Sequence, residues 1–222
     1  GQHSDLMEGV SHEAIALAGH MKLGRLIVLF DDNGITIDGA LSLSDSVDQV
    51  KRFEAAGWNA ERIDGHDPEA IAAAIERARK ADRPSLIACR TTIGYGAPGK
   101  AGSEKAHGSP LGADEIAGTR KNLGWDYAPF DIPADVAEQW RAPAARGRAA
   151  QEEWRKRLAA ASGSVRSGFM RRMRGEIDED ALENAIRAMK EALAAAPQTI
   201  ATRQASENAL AGLVEALPEL VG

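Results

Sequence analysis

The stretch Asp31–Gly39, DDNGITIDG, places two adjacent carboxylates, a carboxamide and a glycine directly behind the apolar run Leu26–Phe30. A divalent cation carried on a diphosphate takes hard oxygen ligands and borrows some of them from the phosphates. The protein then has to supply a carboxylate, an amide or a backbone carbonyl, and DDNGI holds all three. The same residues also suit a plain turn after a strand, and the local pattern alone does not choose between the two. His107 is the second residue with chemistry in reach. It sits in AHGSP at the end of a glycine-rich stretch, where an imidazole can donate to phosphate or substrate oxygens or move a proton near neutral pH; a surface histidine without a role is the alternative. His12, His20 and His66 show no metal-ligand spacing and are read as surface or packing residues. No G-x-S-x-G elbow, P-loop or complete dinucleotide fingerprint is present.

The elements that must position these groups follow an α/β grammar. SHEAIALAGHMKLG predicts a helix with Ser11 as N-cap, Glu13 in its first turn and Gly24 past its end. RLIVLF is apolar without alternation, the pattern of a strand buried on both faces. A helix is then predicted over 46–56 ended by Gly57, a strand over 59–63, a helix opened by Asp67 with Pro68 at its first position, and the strand SLIACR. Strands alternating with helices predict an α/β fold, part of an open, mainly parallel sheet with flanking helices. Ligands of such sheets sit beyond the carboxyl ends of the strands, where residues 31–38 and 91–96 fall. Residues 97–110, APGKAGSEKAHGSP, predict a long loop of the functional or disordered kind. A helical segment follows, with helices predicted over 113–123, 134–140, 151–160, 179–195 and 206–217, linkers at 142–150 and 163–168, and Pro197 closing the alanine-rich helix before it.

The 222 residues carry a net charge of -6 and 44% apolar content, a packed globular composition without overall attraction to nucleic acid or anionic membrane. Arg171, Arg172 and Arg174 cluster, but no aromatic residues interleave with them as a nucleic-acid platform requires, and they are read as a solvated surface. The single cysteine, Cys89, lies in an apolar run and fits a small buried hydrophobe in a reducing compartment. With no bilayer-length apolar run and no secretory signal pattern, the expected location is cytoplasmic. The sequence opens on Gly1 and enters a helix soon after, so it is expected to be a piece of something longer.

Three stretches, LMEGVSHEAIALAGHMKLGRLIVLFDDNGITIDG, TTIGYGAPGKAGSEKAHGSPLG and ATRQASENALAGLVEALPELVG, closely resemble the transketolase family, over nearly the whole chain. DDNGITIDG together with HGSPLG distinguishes that family from other thiamine diphosphate enzymes, which share the metal motif only in outline. The resemblance implies that residues 1–196 are the C-terminal part of the diphosphate-binding domain with its helical extension, and that 197–222 begin the pyrimidine-binding domain. It implies thiamine diphosphate and Mg2+ (or Ca2+) as cofactors, with Asn33 ligating the metal through its side-chain oxygen and Ile35 through its backbone carbonyl. Ile37 and Ile93 become apolar contacts to the cofactor. His107 becomes the catalytic histidine between cofactor diphosphate and the reacting end of the substrate. Glu8 and Glu13 match an acidic pair at a homodimer interface. The implied reaction moves a two-carbon glycolaldehyde unit from a ketose phosphate to an aldose phosphate, with the hard chemistry carried by the cofactor.

Two departures accompany the resemblance. The family's charged metal ligand, an aspartate, falls at position 3, where this sequence has His3. An imidazole brings no negative charge to a magnesium-like ion, and Asp5, two residues on, would sit roughly 6–7 Å away if the segment were extended, so it is not expected to substitute. The family's earlier histidine- and glycine-bearing segment and its later glutamate-bearing domain also lie outside this sequence, so the chain alone is expected to be incomplete for activity. A noncatalytic binding module with a degraded metal site, or another thiamine diphosphate enzyme, are the competing readings.

Overall fold

The computed structural model of the chain describes residues 2–220, with side chains from Asp5 onward. Packing divides it into two compact units, Gly1–Asp131 and Ile132–Gly222. The first is built on a sheet of three parallel strands, β1 (Ile27–Asp32), β2 (Asn59–Asp64) and β3 (Ser85–Arg90), in the order β1-β3-β2. The three strands run in step, Ile27 and Asn59 both opposite Ser85. They also finish together, so the last row across the sheet reads Asp32, Arg90, Asp64 and the one before it Asp31, Cys89, Ile63.

Helices α1 (Gln2–Met7) and α2 (Gly9–His20) precede β1, α3 (Gln49–Ala55) lies between β1 and β2, and α4 (Pro68–Ala78) lies between β2 and β3. Alternation along β3 sends its side chains to two cores. Leu86 and Ala88 join Ile15, Ala18, Phe30, Phe53 and Trp58 on the side of α2 and α3, whereas Ile87 and Cys89 join Ala74 and Ala78 of α4. The indole N–H of Trp58 donates to the Ile15 carbonyl at 2.9 Å, and Phe53 meets the Trp58 ring edge-on at 4.9 Å. Asp67 caps α4 by accepting from the N–H groups of Glu69 and Ala70, with Pro68 opening the helix as its sequence predicts.

Several boundaries differ from the sequence expectation. The apolar run before Asp31 forms a strand, but it stands at one end of the strand order and Leu29 keeps 46% of its surface exposed; β3 is the strand buried on both faces. The strand also runs on through both carboxylates to Asp32, since each pairs in register with β3. Helix α2 starts at Gly9, with Glu8 at the N-cap position, and the Ser11 hydroxyl instead donates to the Asp5 carbonyl, joining α1 to α2. Helix α3 is shorter than expected because Asp48 caps it, its carboxylate taking the Lys51 N–H.

After a loop with a short 3-10 turn (Glu104–Ala106), α5 (Ala113–Asn122) packs back on that loop. Its Glu115 accepts from the Gly99 N–H and its Asn122 donates to the Gly96 carbonyl. The second unit holds α6 (Ala134–Ala160), α7 (Gly163–Met173), α8 (Glu179–Ala195) and α9 (Thr202–Ala216). Residues 142–150 are helical, not a linker: the surrounding Ala and Arg are strong helix formers, and the helix runs on through Pro143 despite its lost donor and ring clash. Ser162 likewise caps a helix where a second linker was expected. Helix α9 begins at Thr202, earlier than the predicted 206, and it packs on α8 with Gly212 lying against Met189. Arg171 and Arg172 both donate to Glu219, at 2.5 and 2.9 Å. Among the described residues no helix is long and apolar enough to cross a membrane.

Candidate functional site

The carboxyl ends of β1 and β3 carry the sequence-predicted residues. Because the strands end in step, Thr91 emerges next to β1: its N–H donates to the Asp32 carbonyl at 3.4 Å and its hydroxyl donates to Asp31 Oδ1. The other oxygen of the same carboxylate, Oδ2, accepts from Asn33 Nδ2 at 3.1 Å. With its nitrogen so engaged, Asn33 turns Oδ1 forward, where it accepts the Ile35 N–H at 3.0 Å. Gly34 sits between them at φ 71°, a left-handed conformation that a side chain would strain.

A tight hairpin follows. Leu41 N–H donates to the Gly34 carbonyl and Thr36 N–H to the Gly39 carbonyl, so Ile35 and Ala40 face each other as the non-hydrogen-bonded pair of an antiparallel bridge. In such a pair both backbone groups of each residue point away from its partner. The Ile35 carbonyl therefore lies on the outer edge of the hairpin, the edge to which Asn33 Oδ1 is already hydrogen-bonded. That amide oxygen has a second lone pair free for another partner. Two uncharged hard oxygens, one side-chain and one backbone, thus share one edge beyond the strand ends.

A cavity of ≈ 630 Å³ opens alongside, lined in part by Asn33, Arg62, His66, Arg90, Thr91 and Gly102. The buried Asp32 (6% exposed) pairs with two of the lining arginines, Arg62 at 3.3 Å and Arg90 at 3.5 Å. His66 holds the rim: its Nε2 accepts the Thr92 N–H at 2.9 Å and its ring stacks on Tyr95 at 4.1 Å. Ile93 lies half-buried on the same loop, its carbonyl accepting the Gly102 N–H at 2.8 Å. A second cavity of ≈ 350 Å³, bordered by Trp58, Asn59, Arg77 and Ser85, lies at the amino ends of β2 and β3, the end of a parallel sheet where ligands do not gather.

The structure therefore brings Asn33 and Ile35 together in one turn and ties Asn33 through Asp31 to the strand exit that leads to Ile93. Ile37, 60% exposed, stands at the tip of the hairpin. His107 is half-buried just after the 3-10 turn, its N–H donating to the Glu104 carbonyl. Glu8 and Glu13 are exposed at the start of α2, beside Val10, Leu17 and Met21, which are 70%, 58% and 58% exposed. His3 lies outside the residues whose side chains are described. Sequence reasoning offered Asp31 as a possible carboxylate ligand or a turn residue and placed Thr91 only at a strand exit; two strands ending in register was the one signal that would have paired them.

With this geometry in place, comparison with known proteins is decisive. Residues 2–178 match the family model described as the thiamine diphosphate binding domain of transketolase. The chain belongs to the transketolase family. It is 55% identical over 217 residues to a transketolase of Cereibacter sphaeroides, covering 98% of this chain and 32% of that protein. It is 46% identical over 222 residues to transketolase 1 of Escherichia coli, covering 98% of this chain and 33% of that one. A transketolase of Pichia stipitis solved in complex with sedoheptulose 7-phosphate superposes with a TM-score of 0.81 at 33% identity, over 98% of this chain and 32% of that one. The chain thus spans about a third of the length of these transketolases. The family supports the α/β fold with its parallel sheet and a thiamine diphosphate-binding role for the domain.

The site residues suit, in part, the divalent metal that the sequence resemblance leads one to expect. Asn33 Oδ1 and the Ile35 carbonyl are hard donors of the type Mg2+ and Ca2+ take. Among the described residues no group of three or more His, Cys, Asp or Glu side chains is placed to hold a metal. The donor set fits a cation that arrives with a diphosphate and completes its shell from it, and does not fit one held by protein side chains alone.

Proposed function

We propose that this chain is the diphosphate-binding portion of a transketolase, acting in the transfer of a glycolaldehyde unit from a ketose phosphate to an aldose phosphate. The observation that carries the reading is the hairpin edge that presents Asn33 Oδ1 and the Ile35 carbonyl together, in a chain 55% identical to a transketolase. Asn33 and Ile35 would hold Mg2+ or Ca2+ against the diphosphate, with Ile37 and Ile93 giving apolar contact to the cofactor. Thiamine diphosphate, when bound, supplies the carbon centre that takes up the two-carbon unit. His107 contributes an imidazole able to donate to a phosphate or sugar oxygen and to move a proton there.

The assembly reading follows from α2. Val10, Leu17 and Met21 lay an exposed apolar stripe beside Glu8 and Glu13, which supports a homodimer interface on this face. Residues 1–196 belong to the diphosphate-binding domain with its helical extension and 197–222 begin the pyrimidine-binding domain; the family model's end at residue 178 supports placing the change of domain late in the chain. Sugar phosphates are the substrates, in a cytoplasmic enzyme.

A second reading, a binding module with a weakened metal site, is favoured by His3 at the position of the family's charged ligand. Calorimetric titration with thiamine diphosphate, with and without Mg2+, separates the two. Saturable, Mg2+-dependent binding that Asn33→Ala abolishes and His3→Asp strengthens is the expected result. Absence of binding, even beside a co-expressed chain supplying the segments that complete the Cereibacter relative, overturns the transketolase reading.

A further inference from the structure

We propose that Asp31 and Thr91 are positioning residues that set the orientation of the Asn33 amide, and with it the direction in which the metal-binding oxygen faces. This inference rests on the cation role proposed for Asn33 and deepens it. A carboxamide has two ends of similar shape and opposite function: an oxygen that a cation takes as ligand and an NH2 that it repels. Asn33 could fill its place with either end forward. A carboxylate, which only accepts, removes that freedom, and Asp31 Oδ2 receives Asn33 Nδ2 at 3.1 Å. The NH2 end is thereby held toward the strand and Oδ1 toward Ile35, whose N–H it accepts at 3.0 Å.

The carboxylate is itself held. Its other oxygen accepts the Thr91 hydroxyl, brought within reach because β1 and β3 run in register through Asp31 opposite Cys89 and Asp32 opposite Arg90. The chain of hydrogen bonds runs from Thr91 through Asp31 and Asn33 to the Ile35 N–H, so the central strand of the sheet fixes the aim of a turn on its neighbour. It also places a formal negative charge one hydrogen bond behind the Asn33 ligand. Such partners behind a ligand commonly govern metal affinity by about 10–100-fold.

The test reads orientation without requiring cofactor. Amide hydrogen exchange of Ile35 and the Asn33 side-chain NH2 resonances are followed by NMR in the 222-residue chain and in Asp31→Ala, Asp31→Asn and Thr91→Val variants. Losing the hydrogen bond that orders Asn33 is expected to speed Ile35 exchange about 5–10-fold in Asp31→Ala, with the β1–β3 ladder amides unchanged. Asp31→Asn keeps an acceptor for Asn33 Nδ2 and a partner for Thr91, and restores protection. Thr91→Val, which keeps the sheet's packing, gives a smaller rise of about threefold and decides the matter if Asp31→Ala loosens the whole ladder. Unchanged Ile35 exchange in Thr91→Val, or in an Asp31→Ala variant whose ladder is intact, overturns the proposal. In a second arm, Mn2+ with inorganic diphosphate is titrated in, with paramagnetic broadening expected at Asn33 and Ile35 and an affinity at least about tenfold weaker in Asp31→Ala. No broadening in the unaltered chain would sink the cation reading of Asn33, whereas broadening equal in Asp31→Ala would sink the positioning role alone.

Discussion

Gly19 lies on the buried face of α2, and replacing it with alanine tests whether packing or helix propensity governs this part of the sheet's cover. Propensity alone favours alanine by about 1 kcal/mol in a helix interior. The structure opposes it, because a Cβ at Gly19 would stand 1.8 Å from the Ala56 carbonyl oxygen and 3.3 Å from Trp58 Cδ1. Restoring ordinary contact requires α2 to back away by about 1.5 Å. That movement opens the core that Ile15 and Ala18 share with Phe53 and Trp58 and strips the Trp58 indole N–H of the Ile15 carbonyl. Overpacking costs about 1–3 kcal/mol and a buried donor left unpaired about 1–3 kcal/mol more. Set against the propensity gain, the net is a loss of about 1–5 kcal/mol. Urea unfolding monitored by tryptophan fluorescence and near-ultraviolet circular dichroism should show the midpoint fall by about 1–2 M. Gly147→Ala is the matched control: it sits within α6 with nothing within 4 Å of a new Cβ, so the same substitution should stabilise, by up to about 1 kcal/mol. A midpoint for Gly19→Ala that is unchanged or raised would refute the packing argument.

Asp67→Ala removes both cap acceptances at the start of α4 and should lower stability by about 1 kcal/mol, read from the shift in the urea midpoint. Cys89 is buried beneath α4, and burial first, with the nearby Asp31 charge second, pushes its thiol pKa up. Native protein should therefore react with a disulfide reagent far more slowly than urea-unfolded protein, and comparable rates would contradict the burial. Burial acts to raise the Glu219 pKa, but hydrogen bonds from its own backbone and Arg171 and the charges of Arg171 and Arg172 outweigh it and leave the carboxylate below its ordinary range. A depressed carboxylate contributes stability above its unfolded pKa and loses it as pH falls through the folded one. The arginine side-chain NMR signals of Arg171 and Arg172 should accordingly stay in their paired positions down to pH values under the usual carboxylate range, then move together, and Glu219→Gln should abolish that transition.

Local chemistry was legible in the sequence wherever a residue acts on its neighbours. Asp67 and Pro68 announce the start of α4, Gly57 the end of α3, and SLIACR a strand. Gly34 between an amide and an isoleucine announced a turn, while the pairing of the Asn33 and Ile35 oxygens came from the family resemblance and not from the local pattern. Relations set by tertiary pairing were not legible. Ser11 has the side chain of a cap, but Asp5 drew its hydroxyl away and the helix began earlier. The Asp31–Thr91 contact exists only because β1 and β3, far apart in the chain, pair in one register. The apolar run before Asp31 matched a fully covered strand equally well whether it fell at the middle or the end of the sheet, and only the strand order distinguishes the two.

The order β1-β3-β2 has a consequence for biosynthesis. Among the described residues, β1 and β2 each bond to β3 and not to one another. On the ribosome the apolar β1 and the more polar β2 therefore do not pair with each other, and the ladders that each forms with β3 wait until β3 has been translated and has left the tunnel. Non-local parallel pairing of this kind closes late and leaves sticky intermediates open to misassociation. A nascent polypeptide in which β3 has not yet emerged should bind holding chaperones more strongly than one in which Ser85–Arg90 has left the tunnel and joined β1 and β2.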